Sequence, residues 1–358
     1  MRIAVYGASG FTGRLSVAEV RRRGMTPVLV GRNEDRLHAA AVEAGAADAE
    51  IRLAFLDAPD ALVGAFAGCD AVVNCAGPFT SWGEPVLRAA IAAGRPYVDT
   101  SGEQRYIRRI LDTYDAEAAR AGVAVVPGLA DDGGPGDLIA HLTARRLPEV
   151  EELVVADLRL PGGATRGTAR TMATAFAEGP LDHVDGALVP ADGQGPASLG
   201  VPGSDEEVPV APFPLPGVAT VPRHVRARRV RSVIRADVAA LFQSLTPDLV
   251  ESVPEVLDDE TRRAGRWLMT VRAVDGAGGR AEGWVTGPDP YGLTAVIAVE
   301  GARRLASGEG RADTAGRARA GALTPAQAFD PADLLDFLVP YGVAWQVSPA
   351  PDQGTTTR

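Results

Sequence analysis

The sequence predicts an α/β fold, with an N-terminal Rossmann doubly wound parallel sheet and a second α+β domain. Three observations carry this. Short apolar runs alternate with alanine-rich helical patterns through the first 128 residues. Three glycines stand between the first apolar run and the first helical pattern. The alternation then stops near Pro127. Strand–helix alternation with short, uniform apolar strands implies a parallel sheet covered on both faces.

Taken in order, strands are predicted over 2–6, 27–30, 51–55, 71–74, 96–98 and 123–126, and helices over 12–23, 34–44, 60–66, 84–93 and 104–121. Six strands suit a dinucleotide fold, which divides into two halves around a switch point. Beyond them, 153–160 alternates as a half-buried strand and 170–176 reads as a helix. Residues 186–222 are rich in proline and glycine around an acidic SDEE knot, which predicts a loop or lid. Strands follow over 225–234, 267–274 and 281–286, and a helix over 294–305. Thr324-Pro325 and Asp330-Pro331 are two helix starts, each a capping residue before proline at the first helical position. The expected division is residues 1–128 for the dinucleotide, 129–345 for substrate and dimerisation, and 346–358 as a disordered tail.

Composition narrows the chemistry. The net charge of -10 over 358 residues argues against a nucleic-acid partner. No apolar run approaches the roughly 20 residues of a membrane span. The first predicted strand begins directly after Met1, leaving no room for a leader, and two cysteines are too few for a disulfide scaffold. A cytoplasmic protein is expected. The sequence contains no lysine, which excludes Schiff-base catalysis, a Walker-type phosphate loop and a Tyr-Lys proton relay. Four histidines and two cysteines without ligand spacing predict no metal site.

The stretch VYGASGFTGR carries the strongest signal. In the GxxGxxG spacing, Gly7 makes the tight turn, Gly10 admits a pyrophosphate, and Gly13 lets the helix pack close to the sheet. Ser9 and Thr12 add hydroxyls beside Phe11, and the helix N-terminus attracts an anion. The second strand ends VLVGRN, so Arg32, beside Asn33, stands where an NAD site would carry a carboxylate. A guanidinium there can chelate a 2′-phosphate, so the predicted cofactor is NADP. Asp57 is a candidate neighbour of the adenine. In VVNCAGPF, the small Cys75, Ala76 and Gly77 let the chain pass close to a nicotinamide, and Pro78 with Phe79 walls the ring. Cys75 reads as a small interior residue in preference to a nucleophile.

Proton donors are sought at strand ends and in loops. Tyr97 and Asp99 lie at the end of the fifth strand, where open α/β sheets bind ligands. Asp99 or Ser101 could equally cap the following helix. His224 lies in RHVRARRVR, where neighbouring arginines lower its proton affinity, although a surface position is the simpler reading. Tyr291, in GPDPYGLT, is the fourth candidate, with turn filling as its alternative. Asp131 and Asp132 form a pair able to raise one carboxyl pKa, read in the first place as a polar loop, and Asp137 reads as an N-cap.

GASGFTGR, VNCAGPF, GEPVLRAAIAAGRPYVDTSGE and GPDPYGLTA together resemble the saccharopine dehydrogenase-like NADP-binding proteins, above all the bacterial saccharopine reductase-like and trans-acting enoyl reductase-like members. The resemblance is strong to about Gly128 and looser beyond. It implies an NADP-binding Rossmann domain, with the family's glycine loop at Gly7, Gly10 and Gly13 and its phosphate-binding arginine at Arg32. It also implies a smaller α+β domain whose sheet faces the nicotinamide. The chain departs from the family at GLADDGGPGD, where members carry a Gly-Phe-Asp-Ser-type stretch, and in the proline-rich segment 209–225.

The expected function is an NADPH-dependent oxidoreductase reducing a C=C, C=N or C=O bond of a small metabolite. The lysine-free, Ala/Arg/Gly-rich composition suggests a GC-rich bacterial genome, and together with the resemblance it implies bacterial natural-product biosynthesis. The expected partners are a small-molecule substrate and a second copy in a homodimer. The competing readings are a non-catalytic NADP-binding sensor or scaffold, and an isomerase that retains its cofactor.

Overall fold

A computed structural model of the chain describes residues 1–312 and 319–348. The first sheet contains β1 (Arg2–Tyr6), β2 (Thr26–Gly31), β3 (Glu50–Leu53), β4 (Ala71–Asn74), β5 (Tyr97–Asp99) and β6 (Ala124–Val126). They run parallel in the order β6-β5-β4-β1-β2-β3, with the short strand Gly321–Ala322 outside β6. The chain therefore reverses its direction of travel at β1, next to β4, which is where such sheets open a crevice. Alternation along β1 shows why both faces are covered. Ile3 and Val5 enter one buried apolar cluster, and Ala4 and Tyr6 enter the other.

The second sheet has nine strands. Its centre pairs Ala227–Arg235 in parallel with Val150–Asp157, and the latter pairs antiparallel with Arg266–Val274. Arg280–Pro288 and Ala344–Val347 continue it on one side, Glu207–Pro212 and Ser198–Gly200 on the other. The hairpin Leu181–Val184 and Ala187–Pro190 is attached to Ala227–Arg235. Helix Gly133–Ala144 lies against the hairpin Arg266–Val274 and Arg280–Pro288.

Several expectations need correction. Residues 186–222 are not a loop or lid, since three strands and the short helix Gly217–Thr220 occupy much of this stretch. Their prolines fall near the sheet margin, with Pro209 opposite Ser198 of the outermost strand, where a missing ladder donor is tolerated. The predicted tail begins too early, because 346 and 347 belong to strand Ala344–Val347. Residues 349–358 lie outside the described residues. The predicted helix 104–121 is two helices, Gln104–Thr113 and Asp115–Arg120. Helices Ala236–Gln243, Pro247–Ser252 and Asp259–Ala264 were not predicted.

The later chain also returns to the first sheet. Helix Pro290–Ala306 packs on helix Phe11–Arg22 and against β4 and β5. A buried ionic knot fixes this contact. Glu300 accepts from Arg23, Arg303 and Arg304, and Arg23 also reaches Glu19. Burial pushes the Glu300 carboxyl up, but the hydrogen bonds from Arg303 and Arg304 outweigh it and hold it below the usual range. Among the described residues, no helix is long and apolar enough to cross a membrane.

Candidate active site

One cavity of about 1030 Å³ opens between the two sheets. Its lining includes residues that follow β1, β2, β4, β5 and β6, namely Gly7, Arg32, Cys75, Thr100 and Ala130. A drug-sized ligand fills about 300–1,000 Å³. This volume stands at the upper end of that range.

At one end the glycine loop closes on itself. Gly7 has φ of 76°, a left-handed value that favours glycine. A Cβ on Gly13 would lie 2.2 Å from the Gly7 carbonyl oxygen, so the helix approaches the strand as only glycine allows. Gly10 donates its amide to that same oxygen at 2.9 Å. Gly10 is also the N-cap of Phe11–Arg22, and no side chain caps this helix. Its first-turn amides are left for an anion. Gly7, Ser9, Gly10, Phe11 and Thr12 line the cavity, whereas Gly13 supports the loop from behind.

Arg32 follows β2, is exposed, and forms no ion pair among the described residues. Its guanidinium carbon lies 5.9 Å from the centre of the Trp82 ring. Asn33 caps the next helix, its Oδ1 accepting from the Arg36 amide at 2.9 Å. Glu255 bridges Arg36 and Arg166 at 3.2 Å each, joining the two sides of the cavity. Asp57 is exposed and does not line the cavity, so the structure does not bring it to the adenosine end.

After β4, Asn74 turns the chain by accepting from the Ala76 amide at 3.0 Å. Cys75, Ala76, Gly77 and Phe79 line the cavity, and Pro78 does not. The buried Glu103 carboxylate holds this turn by accepting from the Phe79 and Thr80 amides at 2.6 Å each. Burial pushes the Cys75 thiol up to about 11, against the Ser16 hydroxyl, which disfavours the thiolate a nucleophile needs. The uncapped helix, the glycine cradle and the unpaired arginine fit a dinucleotide carrying a 2′-phosphate.

The four predicted proton donors divide. Asp99 is fully buried beneath the cavity and does not line it. Its Oδ1 accepts from the Ser101 hydroxyl and amide and from the Gly128 amide, and its Oδ2 from the Tyr97 and Tyr106 hydroxyls. Tyr97, also fully buried, takes a further hydrogen bond from Asn74 at 3.0 Å. Neither Asp99 nor Ser101 caps the next helix, whose N-cap is Glu103. His224 is not at the cavity either. It is buried against Asp137 at 2.8 Å and His141 at 3.1 Å. Asp137 lies inside helix Gly133–Ala144, so it is no N-cap; Asp132 is. Only Tyr291 lines the cavity, with its hydroxyl 2.8 Å from Thr168 Oγ1 and its ring edge-on to Phe11 at 5.2 Å.

An acidic group stands in the far wall. Asp131 and Asp132 meet Asp157, at the end of strand Val150–Asp157, and Arg159 just beyond it. Arg159 pairs with Asp157 and lies 3.0 Å from Asp131 Oδ2. That oxygen is buried and receives no directed hydrogen bond, so the contact is a charge pair without alignment. Burial, then the Asp131 charge, push the Asp132 carboxyl up to about 7 against the pull of Arg159. The adjacent aspartates were visible in the sequence, but Asp157 and Arg159 come from a distant strand end. The remaining wall is apolar, with Met172, Phe213, Leu215, Ile234, Val238 and Phe242.

Residues 3–126 match the family model of the saccharopine dehydrogenase NADP binding domain. The trans-acting enoyl reductase of Mycobacterium tuberculosis strain H37Rv is 31% identical over 182 residues, 49% of this chain and 44% of that protein. That of Mycobacterium ulcerans strain Agy99 is 32% identical over 151 residues, 41% and 36% of the two chains. The matched stretch is thus less than half the length of these relatives. Apo saccharopine dehydrogenase (L-Glu forming) from Saccharomyces cerevisiae superposes with a TM-score of 0.60 over 97% of this chain and 99% of that one, at 12% identity, which is a likeness of fold. Residues 3–126 are an NADP-binding domain similar to that of the saccharopine dehydrogenase family.

Proposed function

We propose that the protein is an NADPH-dependent oxidoreductase that reduces a C=C, C=N or C=O bond of a small metabolite. The observation that carries this is the continuity of the cavity from the glycine loop and Arg32 to the apolar and acidic wall of the second sheet. A sensor or scaffold would need only the first part. A reductase needs the second part as well, because bound NADPH supplies a hydride and the protein must hold an acceptor against it.

In this reading the amides of the first helical turn hold the pyrophosphate, with Gly10 letting the backbone come close to it and Ser9 and Thr12 beside them. Arg32 chelates the 2′-phosphate, and Trp82 and Asn33 flank it. Cys75, Ala76 and Gly77 leave the close passage for the nicotinamide ribose, and Phe79 walls it. Apolar side chains expel water around the acceptor. On the substrate wall Arg159 is held by Asp157 and Asp131 and Arg262 by Asp289, whereas the exposed Arg266 donates only to the Arg263 and Gly265 carbonyls and forms no ion pair among the described residues. The names of the mycobacterial relatives favour an enoyl C=C bond, and their organisms a bacterial setting.

The test is a fluorescence titration of the protein with NADPH and NADH, repeated with Arg32→Ala. NADPH is expected to bind more tightly, and the variant to lose roughly 10- to 150-fold, the worth of a hydrogen bond to a charged group of about 1.5–3 kcal/mol. NADH binding should not change. Equal affinities in the native protein, or none for either cofactor, would remove the cofactor assignment and with it the reductase.

A further inference from the structure

Asp132 is placed unlike any other acidic side chain of the cavity. It is the N-cap of helix Gly133–Ala144, with Oδ1 accepting from the Gly133 amide at 2.7 Å. Its other oxygen, Oδ2, points toward Gly102, where a Cβ would lie 3.2 Å away. Gly102 and Asp132 both line the cavity, on the side where Cys75 and Thr100 emerge from β4 and β5. Oδ2 has no hydrogen-bond partner among the described residues. It is a carboxyl oxygen with an open path into the site.

From this arrangement we infer that Asp132 is the proton donor to the substrate, its Oδ2–H reaching the atom that gains charge when the hydride arrives. The inference rests on the reductase function proposed above. Its balance is simple. The hydride adds a hydrogen and an electron pair to one atom of the double bond, and the displaced π pair collects on the other atom. That atom takes the proton from Asp132 Oδ2, and the carboxylate left behind regains a proton from water in the cavity.

The surroundings keep the proton in place. Asp131, on the same loop, and Asp157, on strand Val150–Asp157, are like charges, while Arg159 opposes them from beyond that strand. Helix Pro290–Ala306 contributes the uncharged Thr294 hydroxyl, which donates to Asp131 at 3.1 Å, and brings Tyr291 to the same cavity. The loop after β5 presents the backbone at Gly102. Burial comes first and the Asp131 charge second in raising the Asp132 carboxyl to about 7. A raised carboxyl suits a donor that must hold its proton until the substrate takes it.

Two measurements test this. Infrared spectra of the whole protein between pH 5.5 and 9 report the carboxylic C=O stretch. A band present at pH 6, lost near pH 7 and missing from Asp132→Asn is expected; in Asp131→Asn it should titrate at lower pH. Asparagine keeps Oδ1 for the Gly133 amide, so the helix cap survives. Identical spectra of the native protein and Asp132→Asn at pH 6 would overturn the assignment.

The second measurement follows NADPH oxidation with 2-cyclohexen-1-one and with trans-β-nitrostyrene. Hydride addition to the nitroalkene gives a nitronate that needs no acid, whereas the enone needs a proton. Asp132→Asn should slow the enone about 10²- to 10⁴-fold and the nitroalkene less than tenfold. Equal loss with both would make Asp132 a positioning residue and overturn the role. If the native protein turns over neither probe, the result counts against the reductase reading, and the infrared titration still decides the protonation of Asp132.

Discussion

Asp99 ends β5 and Asp132 follows the neighbouring parallel strand β6; Asp99 is fully buried, Asp132 is half-buried at the cavity, and burial raises the pKa of both. Their surroundings differ in donors. Asp99 receives five hydrogen bonds, from two amides, a serine hydroxyl and two tyrosines. Asp132 receives one amide and faces a second carboxylate. A buried carboxylate surrounded by donors becomes a fastener between segments. The same group with few donors becomes a store for a proton. The comparison teaches that the number of donors, together with depth, decides which role a buried acid takes.

The sharpest way to break the comparison is Asp99→Ala. The Ser101 and Gly128 amides would each lose their acceptor at about 1–3 kcal/mol, so urea denaturation should show a loss of roughly 2–6 kcal/mol. A loss below about 1 kcal/mol would mean that Asp99 fastens nothing. Ser101→Ala removes one donor and leaves the rest. Its effect should be about 1–3 kcal/mol in the same assay, and the Asp99 carboxyl should move further up.

Asp132→Asn should change stability with the opposite sign. A carboxyl whose folded pKa is raised binds its proton more tightly in the native state. Its contribution is complete below the unfolded value near 4 and is lost as pH rises to about 7. The asparagine escapes that loss. Thermal melts should therefore coincide near pH 4 and separate toward pH 8, with the variant the more stable. Melts that separate in the other direction would show that Asp132 is ionised and well held.

The two aspartates also mark how far the sequence could be read. The glycine loop, Arg32 and six strands were legible because their signals are local: spacing, period and punctuation. Asp99 and Tyr97 were visible as polar residues at a strand end. Their partners at 101, 106 and 128 were not, so a fastener looked like a proton donor. His224 was misread for the same reason, since Asp137 lies 87 residues away. Asp131 and Asp132 stood side by side in the sequence, but the Asp157 and Arg159 that complete their environment arrive on a different sheet. The strands within 186–222 were hidden by prolines that composition assigns to loops and an edge position accommodates.

Helix Pro290–Ala306 has a consequence for how the protein is made. It covers β4 and β5 beside helix Phe11–Arg22, and Gly321–Ala322 extends the same sheet. The first 128 residues leave the ribosome well before that cover exists. At about 5–20 residues per second, the apolar face containing Val73 and Val98 waits roughly 10–35 s for its helix. During that interval the nascent sheet is a natural client for a chaperone. A fragment ending at residue 128 would keep that exposed face permanently, and is expected to collect in inclusion bodies unless residues 290–322 are supplied alongside it.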